Sequence, residues 1–527
     1  DVERSRGLGD VYKRQGLFSA DERIGRTKSL AILSTRQCRM QKTGIRLSVF
    51  TLLVYMAVCL LGHMSACAAA ETEWTQESYS KKLDLGGAVS VVELDIKATP
   101  AEIGPGGRAT YLFYLSRQEH DGLSMLTASL EQNSTHSQLE VMPLGPLGDQ
   151  QDTYQYAMNI PMKEKSDVSL SIKGVFLHQA SPLPKELKQG DLQLLTWDGD
   201  AQPRTPYVTA SATVFINSPD PILTFKAPVT STQLGNAVQF GPFTDLQPYT
   251  ADSEPVPQGH VHFAYSKPLV SYKKYQRHVE ISHWGDNMAT HDYIWLQNVG
   301  PRLKGCFSRS QNMINMHMNP LLEKTSQIQS IPLSLPGSAE GVYYVDATGN
   351  VSTSNLKASP KAAGTPRRLD IRPRYPVLGG WNYTFTVGWN ERMSKSGIAR
   401  FNPAKPWRTR IAVPFLISPK TASIENATLT ISLPEGAQDI KVSLPFKVDN
   451  VHTSRYPSYL DTVGRPTISI TRAKCSFMNA MPVFVEYTLP ITTYLRKPFC
   501  VTLAVLLVFA ASAFVSRQIN AIPQSAK

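Results

Sequence analysis

Cysteine is scarce. The chain has six in 527 residues, and Cys38, Cys59 and Cys67 fall near its start while Cys500 lies inside a long apolar run. Only Cys306 and Cys475 remain for a folded region, either as one long-range disulfide or as two free thiols. That excludes a disulfide-stapled scaffold and a zinc site built on cysteine spacing. Catalytic signatures are missing as well: there is no G-x-S-x-G elbow, no H-E-x-x-H, no glycine-rich phosphate loop and no C-x-x-C. The net charge of +12 is inflated by residues 1–39, and the remaining excess forms no basic stripe. Nucleic acid is therefore excluded as a partner. Long helical periodicity is also absent between the two ends of the chain.

Two apolar runs stand out. Phe499–Val515 (FCVTLAVLLVFAASAFV) carries no charge and is bracketed by Arg496 and Lys497 on one side and Arg517 on the other. As a helix it extends about 26 Å, enough for a short membrane span, and it has no polar face to suit a buried core helix. The expectation is a transmembrane helix over 498–515 with a short cytosolic tail, 516–527. The second run, Leu47–Leu61, follows Met40, Lys42 and Arg46 and precedes Ser65–Ala70 (SACAAA), the layout of a secretory signal peptide over 40–70. Residues 1–39 begin without Met and show no periodicity, so they read as a non-native or untranslated leader. A cleaved signal and one carboxy-terminal span give a single-pass type I topology, with the bulk of the chain translocated.

That bulk reads as mainly β. Val89–Lys97, Thr110–Leu115, Val168–Leu177 and Val208–Ile216 alternate apolar and polar residues between turn-rich pieces. After a looser, proline-interrupted section over Lys226–Tyr272 the alternation resumes, from His278–Ser282 through Trp381–Trp389 to Val483–Leu489. Two β-sandwich-like domains are expected, 71–270 and 271–497, ahead of the membrane helix. No repeat between them is visible. Sequons at Asn133, Asn350, Asn382 and Asn426 are candidate glycan acceptors, with Asn382 and Asn426 hindered by adjoining strands. His260 with His262, His283 with His291, and Asp198 with Asp200 in a glycine-containing turn are the only suggestions of metal chemistry. None has an identifiable third ligand, so ordinary structural roles are expected and no cofactor is assigned.

Six stretches carry a resemblance: Val279–Asn287 (VEISHWGDN), Lys304–Arg309 (KGCFSR), Val342–Leu356 (VYYVDATGNVSTSNL), Ile371–Trp381 (IRPRYPVLGGW), Leu433–Ala437 (LPEGA) and Tyr459–Pro466 (YLDTVGRP). In this order they are similar to the ribophorin I family, subunit 1 of the oligosaccharyltransferase complex of the endoplasmic reticulum, in its short-tailed form. The first half matches more loosely, chiefly through Phe240–Thr250. The resemblance implies residence in the endoplasmic reticulum membrane. It also implies partnership with the catalytic and other subunits that move a preassembled glycan from dolichyl diphosphate to Asn of N-x-S/T in nascent polypeptides. It implies a non-catalytic role, bracing the catalytic subunit or positioning acceptor chains. The span is then expected to pack on neighbouring helices through Ala504, Ala510, Ala511 and Ala513. Two other readings stay open, a surface receptor or adhesion ectodomain and a β-built enzyme with clustered metal ligands.

Overall fold

A computed structural model describes residues 73–521, apart from 104–106, 133–134, 149–151, 163–164, 319–325, 358–364, 403–404, 459–460 and 462. The expected leader and signal, and Asn133, lie outside the described residues.

The first half forms β1 (Trp74–Asp84), β2 (Val89–Pro100), β3 (Arg108–Ser116), β4 (Leu123–Gln132), β5 (Thr135–Leu139), β6 (Val141–Pro146), β7 (Thr153–Pro161) and β8 (Val168–Leu177). It continues with β9 (Ala180–Pro182), β10 (Glu186–Leu187), β11 (Leu194–Asp200), β12 (Thr209–Asn217), β13 (Ile222–Lys226), β14 (Ser231–Leu234), β15 (Ala237–Leu246) and β16 (Gln258–Ala264). The second half forms β17 (Val270–Ser282), β18 (Asn287–Asn298), β19 (Arg302–Leu303), β20 (Ile331–Leu335), β21 (Glu340–Asp346), β22 (Gly349–Asn350), β23 (Ser354–Leu356) and β24 (Arg367–Ile371). It ends with β25 (Asn382–Arg392), β26 (Ala399–Asn402), β27 (Lys405–Pro414), β28 (Ser423–Ser432), β29 (Gln438–Ser443), β30 (Asn450–Tyr456), β31 (Arg465–Cys475) and β32 (Pro482–Thr488). Helices are few: α1 (Arg117–Gly122), α2 (Arg309–Met318), α3 (Met393–Ser396) and the long α4 (Ile491–Ala521).

The two halves are built alike. The first has an eight-stranded sheet in the order β14-β15-β12-β1-β2-β8-β4-β5, and the second has one in the order β30-β31-β28-β17-β18-β25-β21-β22. With β10 and β19 set aside, these are the same strands counted along each half. The smaller sheets agree too, β3-β7-β6 with β20-β24-β23 and β9-β11-β16-β13 with β26-β27-β32-β29. Each large sheet contains one parallel pair, β1 with β12 and β17 with β28. The chain is thus a structural duplication, which the sequence does not reveal. Alternation fixes which side chains face inward, but many apolar residues satisfy each inward position, so topology outlasts side-chain identity.

Buried side chains fall into two main clusters, one running from Trp74 to Leu269 and one from Val270 to Leu489. In the second, Tyr275 and Leu429 from the large sheet pack with Leu333 and Leu369 from the three-stranded sheet and Val413 and Val485 from the four-stranded one. That places one apolar layer between sheets, as a sandwich requires. The halves also grip each other. Phe477 and Met478 pack against Val89, Val175 and Leu177. Arg472 Nη2 donates to the Ser124 carbonyl at 2.6 Å, and Ser124 Oγ reaches Ser476 Oγ at 3.0 Å. His178 Nε2 lies 2.6 Å from Glu425 Oε1, and β10 pairs in parallel with β19. Residues 69–527 accordingly form one compact unit.

Three local expectations change. Lys226–Tyr272 is not loose: β14, β15 and β16 occupy it, but β14 has only four residues, Pro242 interrupts β15, and Pro248, Pro255 and Pro257 precede β16, which masks their period. Asp198 and Asp200 lie in β11 rather than a turn. β17 begins at Val270 instead of His278, because a bulge between Tyr272 and Lys274 breaks the alternation there.

Candidate functional site

The six stretches that carry the resemblance gather at two places. Three of them meet where the second half joins α4. This helix starts at Ile491, eight residues before the apolar run, and over Ile491–Gln518 it is long and apolar enough to cross a membrane. Thr493 donates through N and Oγ1 to the Pro490 carbonyl, at 3.0 and 2.6 Å, which seals the first turn. Pro498 sits inside the helix, where its ring removes one backbone donor.

The extra turns exist because the β unit holds them. From the YLDTVGRP stretch, the Asp461 carboxylate is fully buried and lies 2.5 Å from Lys497 Nζ. From LPEGA, the nearly buried Glu435 carboxylate lies 4.0 Å from Lys497 and 3.9 Å from Arg496, and it accepts the Val463 amide at 2.8 Å. Gly436 has φ +81°, and a Cβ there would stand 2.6 Å from Thr493 Cγ2, so helix and loop approach closely enough to demand glycine. Arg465 joins Asp461 at 3.4 Å to Glu280 at 3.7 Å. The basic residues that bracket the apolar run on this side are therefore ion-pair partners of the β unit.

The third stretch, VEISHWGDN, is the β17–β18 hairpin. Asp286 is in the left-handed region at φ 47°, and its carboxylate accepts the Ser394 amide at 3.0 Å as well as the Ser394 hydroxyl. So clamped, the loop points His283 and Trp284 at the joint. His283 Nε2 lies 2.5 Å from the Tyr487 hydroxyl, and burial holds the imidazole below its ordinary pKa. The Trp284 indole is 67% exposed yet only 6.4 Å from the Tyr494 ring. Between hairpin, loop and helix lies a cleft of about 310 Å³, bordered by Ile281, Trp284, Pro434, Tyr494, Pro498 and Val501.

The other three stretches form an aromatic and ionic cluster. Phe307 of KGCFSR meets Trp381 edge-on at 5.8 Å, and Tyr375 stands 6.1 Å from the same indole. Arg374 pairs with Asp346 and donates to the carbonyls of Gly349 and Asn350 at 3.3 and 3.0 Å. A Cβ on Gly379 would stand 1.8 Å from the Pro301 carbonyl oxygen, and Gly380 has φ +82°, which together explain the glycine pair of IRPRYPVLGGW.

The remaining candidates are placed as follows. Asn350, Asn382 and Asn426 are all exposed, Asn382 at the start of β25 and Asn426 within β28. Cys306 and Cys475 are not joined: Cys306 is exposed, whereas Cys475 is buried with Sγ 3.5 Å from the Arg472 carbonyl, and burial pushes its thiol up to about 12. Along α4, at about 100° per residue, Ala504 and Ala511 share one side while Ala510 and Ala513 fall on another, so the four alanines are not one stripe. His260 Nδ1 lies 2.6 Å from Asp198 Oδ1 and His262 Nε2 lies 3.0 Å from the Leu183 carbonyl. Asp200 pairs with Arg204 at 2.7 Å. His291 meets the Tyr343 hydroxyl. Among the described residues no three His, Cys, Asp or Glu come together as metal ligands.

The Ribophorin I family pattern matches residues 74–516. Among curated proteins, the dolichyl-diphosphooligosaccharide–protein glycosyltransferase subunit 1B of Arabidopsis thaliana is 27% identical over 90% of this chain and 98% of its own. Subunit 1A of the same plant is 29% identical over 62% of this chain and 50% of its own. Subunit 1 of Caenorhabditis elegans is 25% identical over 84% and 71%. With its β unit and the greater part of its membrane helix inside the match, this chain belongs to the ribophorin I family.

Proposed function

We propose that this chain is a non-catalytic subunit of the oligosaccharyltransferase of the endoplasmic reticulum membrane, with the duplicated β unit in the lumen and α4 as its single type I span. The observation that carries the reading is the joint. A freely hinged ectodomain needs no buried carboxylates against its membrane helix, whereas a brace must transmit a fixed angle from helix to domain. Asp461, Glu435, Lys497 and Arg496 supply that fixity. In this reading the catalytic subunit and its companions pack beside α4, where Ala504 and Ala511 allow close helix approach. The β unit supports the catalytic subunit's lumenal part and helps position nascent acceptor chains for transfer of the lipid-linked glycan. The names of the relatives support the assembly, since each is a numbered subunit of the glycosyltransferase.

The test is a mild-detergent pull-down of the tagged chain with mass spectrometry of its partners, paired with a glycan-transfer assay after depletion. Recovery of a multi-spanning glycosyltransferase subunit, with transfer lost on depletion, is expected. A chain that purifies alone, or whose depletion leaves transfer intact, overturns the reading. As a protein of the same compartment, the chain should itself carry glycans at Asn350, Asn382 and Asn426. Enzymatic deglycosylation in heavy-oxygen water should then leave mass-tagged Asp at each.

A further inference from the structure

We infer that the cleft at the joint is a binding site for one zwitterionic glycerophospholipid from the adjoining leaflet. Three features of the cleft lead there. Its volume of about 310 Å³ falls at the lower end of small-ligand sites, roughly 300–1,000 Å³. Its floor is α4 itself, and Val501 belongs to the uncharged run, so the cleft opens at the depth where the helix enters hydrocarbon. An occupant there is continuous with the acyl chains around it, which a water-soluble ligand cannot be.

The upper wall has the charge pattern of a phosphate-plus-amine head group. Lys497 has three donors and spends its short contact on Asp461, with Glu435 only at 4.0 Å. The Arg465 guanidinium borders the cleft, is partly exposed, and stands 3.4 Å or more from its two carboxylate partners. Both cations therefore keep donors for a phosphate oxygen. The exposed Trp284 indole on the rim offers its face to a quaternary ammonium, the group best matched to an aromatic ring. An exposed Trp beside a membrane helix is also where such side chains settle at the interface. An anionic head group suits the site less, because its additional negative charge would meet Glu435 and Asp461. A phosphate bound between Lys497 and Arg465 with its choline against Trp284 satisfies both ends.

The inference needs only that α4 spans a bilayer, so it stands or falls apart from membership of the transferase. The full chain is purified in mild detergent, exchanged into excess synthetic phosphatidylcholine or phosphatidylserine, and read by native mass spectrometry. One phosphatidylcholine should survive detergent stripping, held at least about tenfold better than phosphatidylserine. Val501→Trp fills the floor and should abolish retention. Trp284→Ala should remove the preference for choline while leaving some phospholipid bound. Both variants should keep the parent thermal unfolding profile, since Trp284 is exposed and Val501 faces the cleft. A second check places a photocrosslinking residue at the exposed rim position Trp284 in native membranes, where the adduct should be lipid. No retained lipid in the parent chain, equal retention by Val501→Trp, equal affinity for phosphatidylserine, or a crosslink to a protein helix would each overturn the inference. Recovery of glycosyltransferase partners in the pull-down is scored separately and is not altered by any of these results.

Discussion

Arg277 shows at the level of single residues what strand pattern cannot. It sits in the middle of β17 at 1% exposure. Its Nε and Nη2 donate to Asp292 on β18 at 2.7 and 2.6 Å, its Nη1 donates to the Pro414 carbonyl, and the Tyr275 hydroxyl donates to the same carboxylate at 2.8 Å. Removing one partner leaves the other charge buried with its desolvation uncompensated. Arg277→Met should therefore cost about 3–5 kcal/mol in the unfolding of the full chain, read from a denaturant midpoint. Replacing both residues with apolar ones should cost clearly less. Cysteine gives a second residue-level test. Cys306 is exposed and Cys475 buried, with its thiol raised to about 12 by burial. At pH 8 a maleimide should label Cys306 within minutes and leave Cys475 unmodified until denaturant is added. Protection of both thiols until reduction would instead reveal the disulfide.

Among the elements, α4 differs most from its sequence reading. Hydropathy defines where a helix can be greasy, and it marks Phe499–Val515 well. It does not mark the turns from Ile491 to Lys497, which are helical because Asp461 and Glu435 wait for their cations. Lys497→Ala leaves the buried Asp461 with the Ser458 amide, which donates to it at 2.9 Å, and with Arg465 at 3.4 Å as its remaining cation among the described residues. Opening of the Ile491–Lys497 segment should become easier by about 2 kcal/mol, or about 30-fold faster amide exchange there. Exchange in β1 and β2 should not change, since neither touches this contact.

For the molecule as a whole, the question is whether two copies of one sheet plan behave as one body. The contacts between them include a titratable pair. Glu425 is held down at about 2, chiefly by its hydrogen bond with His178, with Lys273 3.5 Å away adding to it. A carboxylate whose folded pKa lies below its unfolded value near 4.5 stabilises the folded state fully above that pH. The contribution is lost as pH falls from about 4.5 towards 2. Between these limits the full chain should lose on the order of 2 kcal/mol that Glu425→Gln has already lost at neutral pH. The two proteins should therefore converge in thermal stability near pH 2 and differ at pH 7. A constant difference across the range would mean that Glu425 does not act through its charge.

Sequence by itself determined the class of fold, the end that meets the membrane and the family. Each of those rests on a local or collinear signal: period-two alternation, an uninterrupted apolar run, and six stretches in a fixed order. It did not reveal the duplication, because strand order within a sheet is a relation between distant segments that many side chains satisfy. Nor did it reveal why those six stretches occur together. LPEGA, YLDTVGRP and VEISHWGDN look like unrelated turns until the fold brings Glu435, Asp461 and Trp284 to one helix end. Lys497 is a single letter whether it faces water or a buried carboxylate. Only the tertiary structure decides which, because the energy of a charge is set by what surrounds it rather than by its place in the chain.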